Sequence, residues 1–207
     1  MILRCDKTGF PLVSLRSGID MQLLPVTKAQ FDAFLVESPD FPPEAYAQMM
    51  ALNPPLELGQ LTAENREQIF LTGILPEEAL QFAQWLGEGY DFPTVEEWRG
   101  MYDDLLLEVG SFDYLQQLPE QCESAMARDI LRRLINQIQP YSLMDISLLR
   151  QGVVEWVHTS KHPGDFAGLG TPRPQFQPNL YDPLNDVVRP LSRENRIKYF
   201  GFRLIHR

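Results

Sequence analysis

Phe92-Pro93-Thr94-Val95-Glu96-Glu97-Trp98 is the stretch on which the reading of this chain turns. Thr94 and Glu97 stand at capping-box spacing. The hydroxyl can accept the Glu97 amide while the carboxylate accepts the Thr94 amide, so a helix opens here. It is predicted to run to about Leu107, with Val95, Trp98 and Tyr102 facing the core. Just upstream, Ala79, Phe82, Ala83 and Leu86 follow a helical period that begins at Pro76 and stops at Gly87. Further back, Thr27 and Gln30 repeat the box, with Val26 and Phe31 at the staple positions. That helix should end near Glu37, before Pro39. Glu44 to Leu52 reads as a short helix, and Ile19 to Leu24 as a strand.

Downstream, a single helix is predicted from about Glu120 to Gln139. Cys122, Met126, Ile130, Leu134 and Ile138 form its stripe. Gly152 to Val157 is β-branched and aromatic and reads as a strand. Residues 159–190 are rich in Pro, Gly, Asp and Asn and read as one long loop, of the kind that in a compact domain usually carries function. Tyr199 to His206 reads as a closing strand. Helices in the first two thirds, with short strands at both ends, predict an α+β domain. Trp85, Trp98 and Trp156 are read as core.

The chain has 207 residues, 44% of them hydrophobic and 11% aromatic. That suffices for one domain with a sizeable core and excludes disorder throughout. No apolar run approaches the roughly 20 residues of a membrane span. MILRCDKTGF holds no long apolar run, so the expectation is a cytoplasmic protein without a secretory signal. Two cysteines, Cys5 and Cys122, exclude a disulfide scaffold. A net charge of -10 argues against nucleic acid as the main partner. From Glu77 to Glu123 there are twelve acids and one base, whereas Arg189 to Arg207 holds six bases and one acid. The two segments are either ordinary solvated surface, with room for them to face each other, or a bipolar surface that orients a protein partner.

Four segments, in order, resemble the formylglycine-generating enzyme family, also called the sulfatase-modifying-factor domain. They are Leu24 to Phe31, then Ala79 to Gly87 with Phe92 to Trp98, then Gly152-Val153-Val154-Glu155-Trp156, and finally Gly201-Phe202-Arg203-Leu204. The resemblance spans about residues 11–207. It implies a single domain of C-type-lectin-like fold, with a small twisted antiparallel sheet, flanking helices and long loops. The segment 104–139 reads as a helical insertion in that plan.

The departures bear on chemistry. Active members bind copper through two cysteines shortly before the closing Gly-Phe-Arg, and this chain has none after Cys122. The family's Arg-Gly-Gly-Ser-Trp segment is missing, with Gly168-Leu169-Gly170 a distant echo. A calcium-binding Asn of the family falls at Gly152, which offers no side-chain oxygen. No catalytic residue and no cofactor is therefore carried over. Glu155 is read as a structural acid bonding backbone amides near a turn, with a catalytic carboxylate as the alternative. His158 and His162 have a spacing that binds metal on a helix, but they stand in loop sequence, and no metal ligand is assigned.

These readings lead to a non-catalytic module that binds a protein or another ligand, with a protein partner expected. The alternatives are a structural subunit of a larger complex and an enzyme of other chemistry in the same pocket. The candidate contact residues are Phe166, Arg173, Phe176, Asn179, Tyr181, Arg193, Asn195 and Arg196. They mix aromatic, amide and guanidinium groups as recognition loops do.

Overall fold

A computed structural model describes residues 3–52, 69–107, 112–147, 153–159, 166–169, 188–190 and 196–207. In chain order the strands are β1 (Leu3–Cys5), β2 (Pro11–Ser14), β3 (Asp20–Gln22), β4 (Tyr90–Asp91), β5 (Val154–His158), β6 (Phe166–Leu169), β7 (Val188–Pro190), β8 (Phe200–Gly201) and β9 (Ile205–His206). The helices are α1 (Lys28–Glu37), α2 (Pro43–Leu52), α3 (Pro76–Leu86), α4 (Val95–Leu107), α5 (Phe112–Gln117), α6 (Ala125–Ile138) and α7 (Leu143–Ser147). The arrangement is α+β.

The helix starts follow the local chemistry. At α1 the Gln30 amide donates to Thr27 Oγ1 at 3.3 Å, and the Thr27 amide donates to Gln30 Oε1 at 2.9 Å. At α4 the Glu97 amide donates to Thr94 Oγ1 at 3.1 Å, and the Thr94 amide to Glu97 Oε2 at 2.8 Å. Trp98, Met101, Tyr102 and Leu105 are fully buried below that cap, while Val95 is partly buried against them. On α3, Ala79, Phe82, Ala83 and Leu86 are buried, and Gly87 ends the helix with φ 146°.

The expected helix over 120–139 is divided. After α5 the chain makes a 3₁₀ turn at Leu118–Gln121, and Cys122 precedes the helix. Ser124 then caps α6 by accepting the Ala127 amide. The buried stripe is Ala127, Ile130, Leu131, Leu134 and Ile135, whereas Met126 is 40% exposed. Helix faces need both three- and four-residue steps, so a strict four-residue stripe drifts off the core face. The Ile138 side chain lies outside the described set. The helix α7 was not expected, although Ser142 and Asp145 cap it reciprocally.

Among the described residues two sheets form where one was expected. The first has the order β1-β2-β3-β9-β4 and is antiparallel throughout. The second has the order β7-β6-β5-β8, with β5 and β8 parallel. The segment read as a loop over 159–190 therefore supplies two strands, β6 and β7. The expected closing strand splits into β8 and β9, one in each sheet, because residues 202–204 cross between them. Phe202 and Leu204 are buried in one apolar cluster, while Arg203 reaches Glu155. Gly201 is needed at the crossing, since an added Cβ would lie 2.7 Å from the Leu71 carbonyl oxygen. Trp98 and Trp156 are core, but Trp85 is only partly buried. Its Nε1 donates to Glu37 at 2.9 Å, and the Lys7 ammonium sits 4.1 Å above its ring.

Candidate functional site

The end of β5 lies against the start of α4, where the His158 amide donates to the Pro93 carbonyl at 3.0 Å. Glu155 points the other way along that strand, into the protein. Its Oε2 accepts Arg203 Nε at 2.7 Å and Trp98 Nε1 at 2.8 Å, and its Oε1 accepts Arg203 Nη2 at 3.0 Å. Arg203 Nη1 also donates to the Leu23 carbonyl at 3.1 Å and to Ser147 Oγ at 2.8 Å. Glu155 and Arg203 are both completely buried. A carboxylate so fully occupied is an organising charge rather than a base open to substrate.

The other side of this corner is partly open. His158 Nε2 lies 2.9 Å from Asp91 Oδ1, and Arg207 Nη1 lies 3.7 Å from Asp91 Oδ2. Arg207 Nη2 also donates to both Glu97 oxygens, at 2.9 and 3.0 Å. Burial pushes the Asp91 carboxyl up, but the His158 hydrogen bond and the neighbouring charges outweigh it and hold it below its usual value. Glu97 is likewise held low, with the Thr94 amide and Arg207 overcoming burial. Phe166 stacks on His158 at 5.1 Å between ring centroids and meets Phe92 edge-on at 5.5 Å. His158 Nδ1 is buried without a hydrogen-bond partner.

Of the residues singled out in the sequence, Phe166 therefore sits half-buried at the base of the segment that follows it. Arg196 marks the far end. Its Nη1 donates to Glu78 Oε2 at 2.7 Å and to the Gly73 carbonyl at 3.0 Å, and its Nε donates to Gln48 at 2.9 Å. With a side chain 12% exposed, Arg196 is committed to α2 and α3 and acts as an anchor. Arg196 and Arg207 both meet acids of the 77–123 segment, so at these two positions the basic and acidic segments face each other. Arg173, Phe176, Asn179, Tyr181, Arg193 and Asn195 lie outside the described residues, as does His162. Asp91 and Arg207 were not found from sequence, because their pairing depends on β4 and β9, far apart in the chain, lying side by side in one sheet.

A cleft of about 480 Å³ lies between the β1–β2 turn, α1 and α6, lined in part by Lys7, Phe10, Gln30, Asp32, Ser124 and Met126. Behind it, the buried Asp6 carboxylate accepts from Thr8, Phe10, Gln22 and Gln30. Burial still raises its pKa. Burial also raises both thiols, Cys122 to about 12, so neither is an activated nucleophile. Among the described residues, no group of three or more His, Cys, Asp or Glu side chains is placed to hold a metal ion. No described helix is long and apolar enough to cross a membrane. No protein-family model matches the chain, and no curated protein matches it.

Proposed function

We propose that this protein is a non-catalytic recognition module on a formylglycine-generating-enzyme-like, C-type-lectin-like scaffold. The observation that carries the reading is that the four resembling segments meet around one buried ion pair. Trp98 of the second segment and Glu155 of the third share a hydrogen bond, and Glu155 pairs with Arg203 of the fourth. The Val26 amide of the first segment donates to the Phe202 carbonyl of the fourth at 2.8 Å. In this reading the buried polar residues hold the scaffold, and recognition falls to the segment between Phe166 and Arg196. Its two ends are pinned, by aromatic stacking at Phe166 and by the Glu78 carboxylate at Arg196. A rigid base reduces the entropy lost when such a segment engages a partner.

The test is capture from a lysate of the source organism with wild-type bait and with a Phe176→Ser/Tyr181→Ser double variant. The reading expects a protein retained by wild type and lost by the variant, at equal melting temperatures. Equal recovery with both baits would contradict it.

A further inference from the structure

Cys5 and Cys122 are far apart in sequence but meet in space. The Cys5 thiol donates to the Gln121 carbonyl oxygen at 3.3 Å, on the peptide unit that carries the Cys122 nitrogen. Standard bond lengths then put the Cys122 Cα within ~6 Å of the Cys5 sulfur. Both cysteines are free, Cys5 half-buried and Cys122 buried. The two backbones are held together beside them. Gly9 packs on Ser124 so closely that an added Cβ would lie 2.4 Å from the Ser124 nitrogen. Arg128 Nη2 fixes the Cys122 carbonyl at 3.1 Å. Cys5 itself sits on β1, which among the described strands lies at the sheet edge and pairs with β2.

We propose that Cys5 and Cys122 form a reversible intramolecular disulfide, a redox modification site that staples the N-terminal hairpin to the start of α6, with a hydroperoxide as oxidant. The Cys5 thiolate attacks one peroxide oxygen, so that an S–O bond forms, the O–O bond breaks and hydroxide or alkoxide leaves. The Cys122 sulfur then displaces hydroxide from the Cys5 sulfenic acid. The S–S bond forms, and the Cys122 proton departs with the hydroxide as water. Two thiols lose two electrons in total and one peroxide gains them. Cys5 reacts first because it is the more accessible. Both thiols are held in the protonated form by burial, so the site responds slowly at neutral pH and faster as pH rises. The bridge would join the two walls of the cleft, Lys7 and Phe10 on the hairpin and Ser124 and Met126 on the helix side.

The test uses the full chain, reduced, freed of reductant and treated with hydrogen peroxide at about pH 7 and about pH 8.5. Thiols are counted after denaturation, and peptides are mapped by mass spectrometry. The proposal expects both thiols to disappear together, faster at the higher pH. It also expects the Cys5 and Cys122 peptides to be linked within one chain, and the melting temperature to rise. In Cys5→Ser, Cys122 should resist peroxide. An unchanged thiol count, linkage only between chains, or loss of Cys122 in Cys5→Ser at the wild-type rate would each overturn it.

Discussion

Arg203 Nε and Nη2 meet the two carboxylate oxygens of Glu155 at 2.7 and 3.0 Å, and solvent reaches neither side chain. The pair joins β5 to the crossing between the sheets, and Trp98 adds a third donor from α4. Such a pair gives little net stability over well-packed apolar groups, but breaking it strands a buried charge.

Arg203→Met and Glu155→Leu should therefore each cost about 3–5 kcal/mol. The double variant should cost less than the sum, because no charge is left alone. Urea unfolding of the four proteins in the cycle measures this. Additive losses would mean that the two side chains act independently.

Thr94→Ala should cost about 0.5–2 kcal/mol through the lost cap, and Trp98→Ala about 3–5 kcal/mol through the cavity and the lost donor. Both are read from the denaturation midpoint. An unchanged midpoint for Trp98→Ala would contradict its place at the centre of the core.

Arg196 anchors the end of the candidate segment to Glu78, where both side chains are mostly buried. Arg196→Ala should lower stability by about 3 kcal/mol, an effect larger than that of an exposed ion pair. A melting measurement checks this directly. A variant as stable as wild type would return Arg196 to the set of free contact residues.

Asp91 and Glu97 are both held below the usual carboxylate range in the folded protein. Their folded pKa values lie below the unfolded ones, so their contribution is present above an unfolded pKa of about 4 and is lost as pH falls through the folded values. The buried Asp6, whose pKa is raised, acts in the opposite direction. Asp91→Asn/Glu97→Gln should flatten the acid limb of stability against pH. The check is the urea midpoint at a series of acidic pH values. An acid limb as steep as that of wild type would exclude these two groups as its source.

What was legible in the sequence was local. Thr27 with Gln30 and Thr94 with Glu97 are contacts over three residues, and the helix starts they set follow from side-chain chemistry alone. The periodic face of α3 was legible for the same reason. What was missed depends on distant partners. Glu155 was legible as a structural acid, but its partners were expected to be backbone amides, and Arg203, which closes over it, stands 48 residues on. His158 stood in apparent loop sequence until Asp91, 67 residues earlier, was found beside it. The strand β6 was hidden because Ala167-Gly168-Leu169 has little β propensity of its own. It is held by its pairing with β5, and Gly168 is required where a Cβ would strike the Phe200 ring. Six of the eight candidate contact residues lie outside the described residues.

The central claim, that a self-sufficient scaffold presents the segment between Phe166 and Arg196 for recognition, is tested most directly by replacing its residues 170–187 with a Gly/Ser linker of equal length. Melting and partner capture are then measured on the same preparation. The account predicts a melting temperature within a few degrees of wild type, together with loss of the captured protein. Capture preserved without the segment would contradict it.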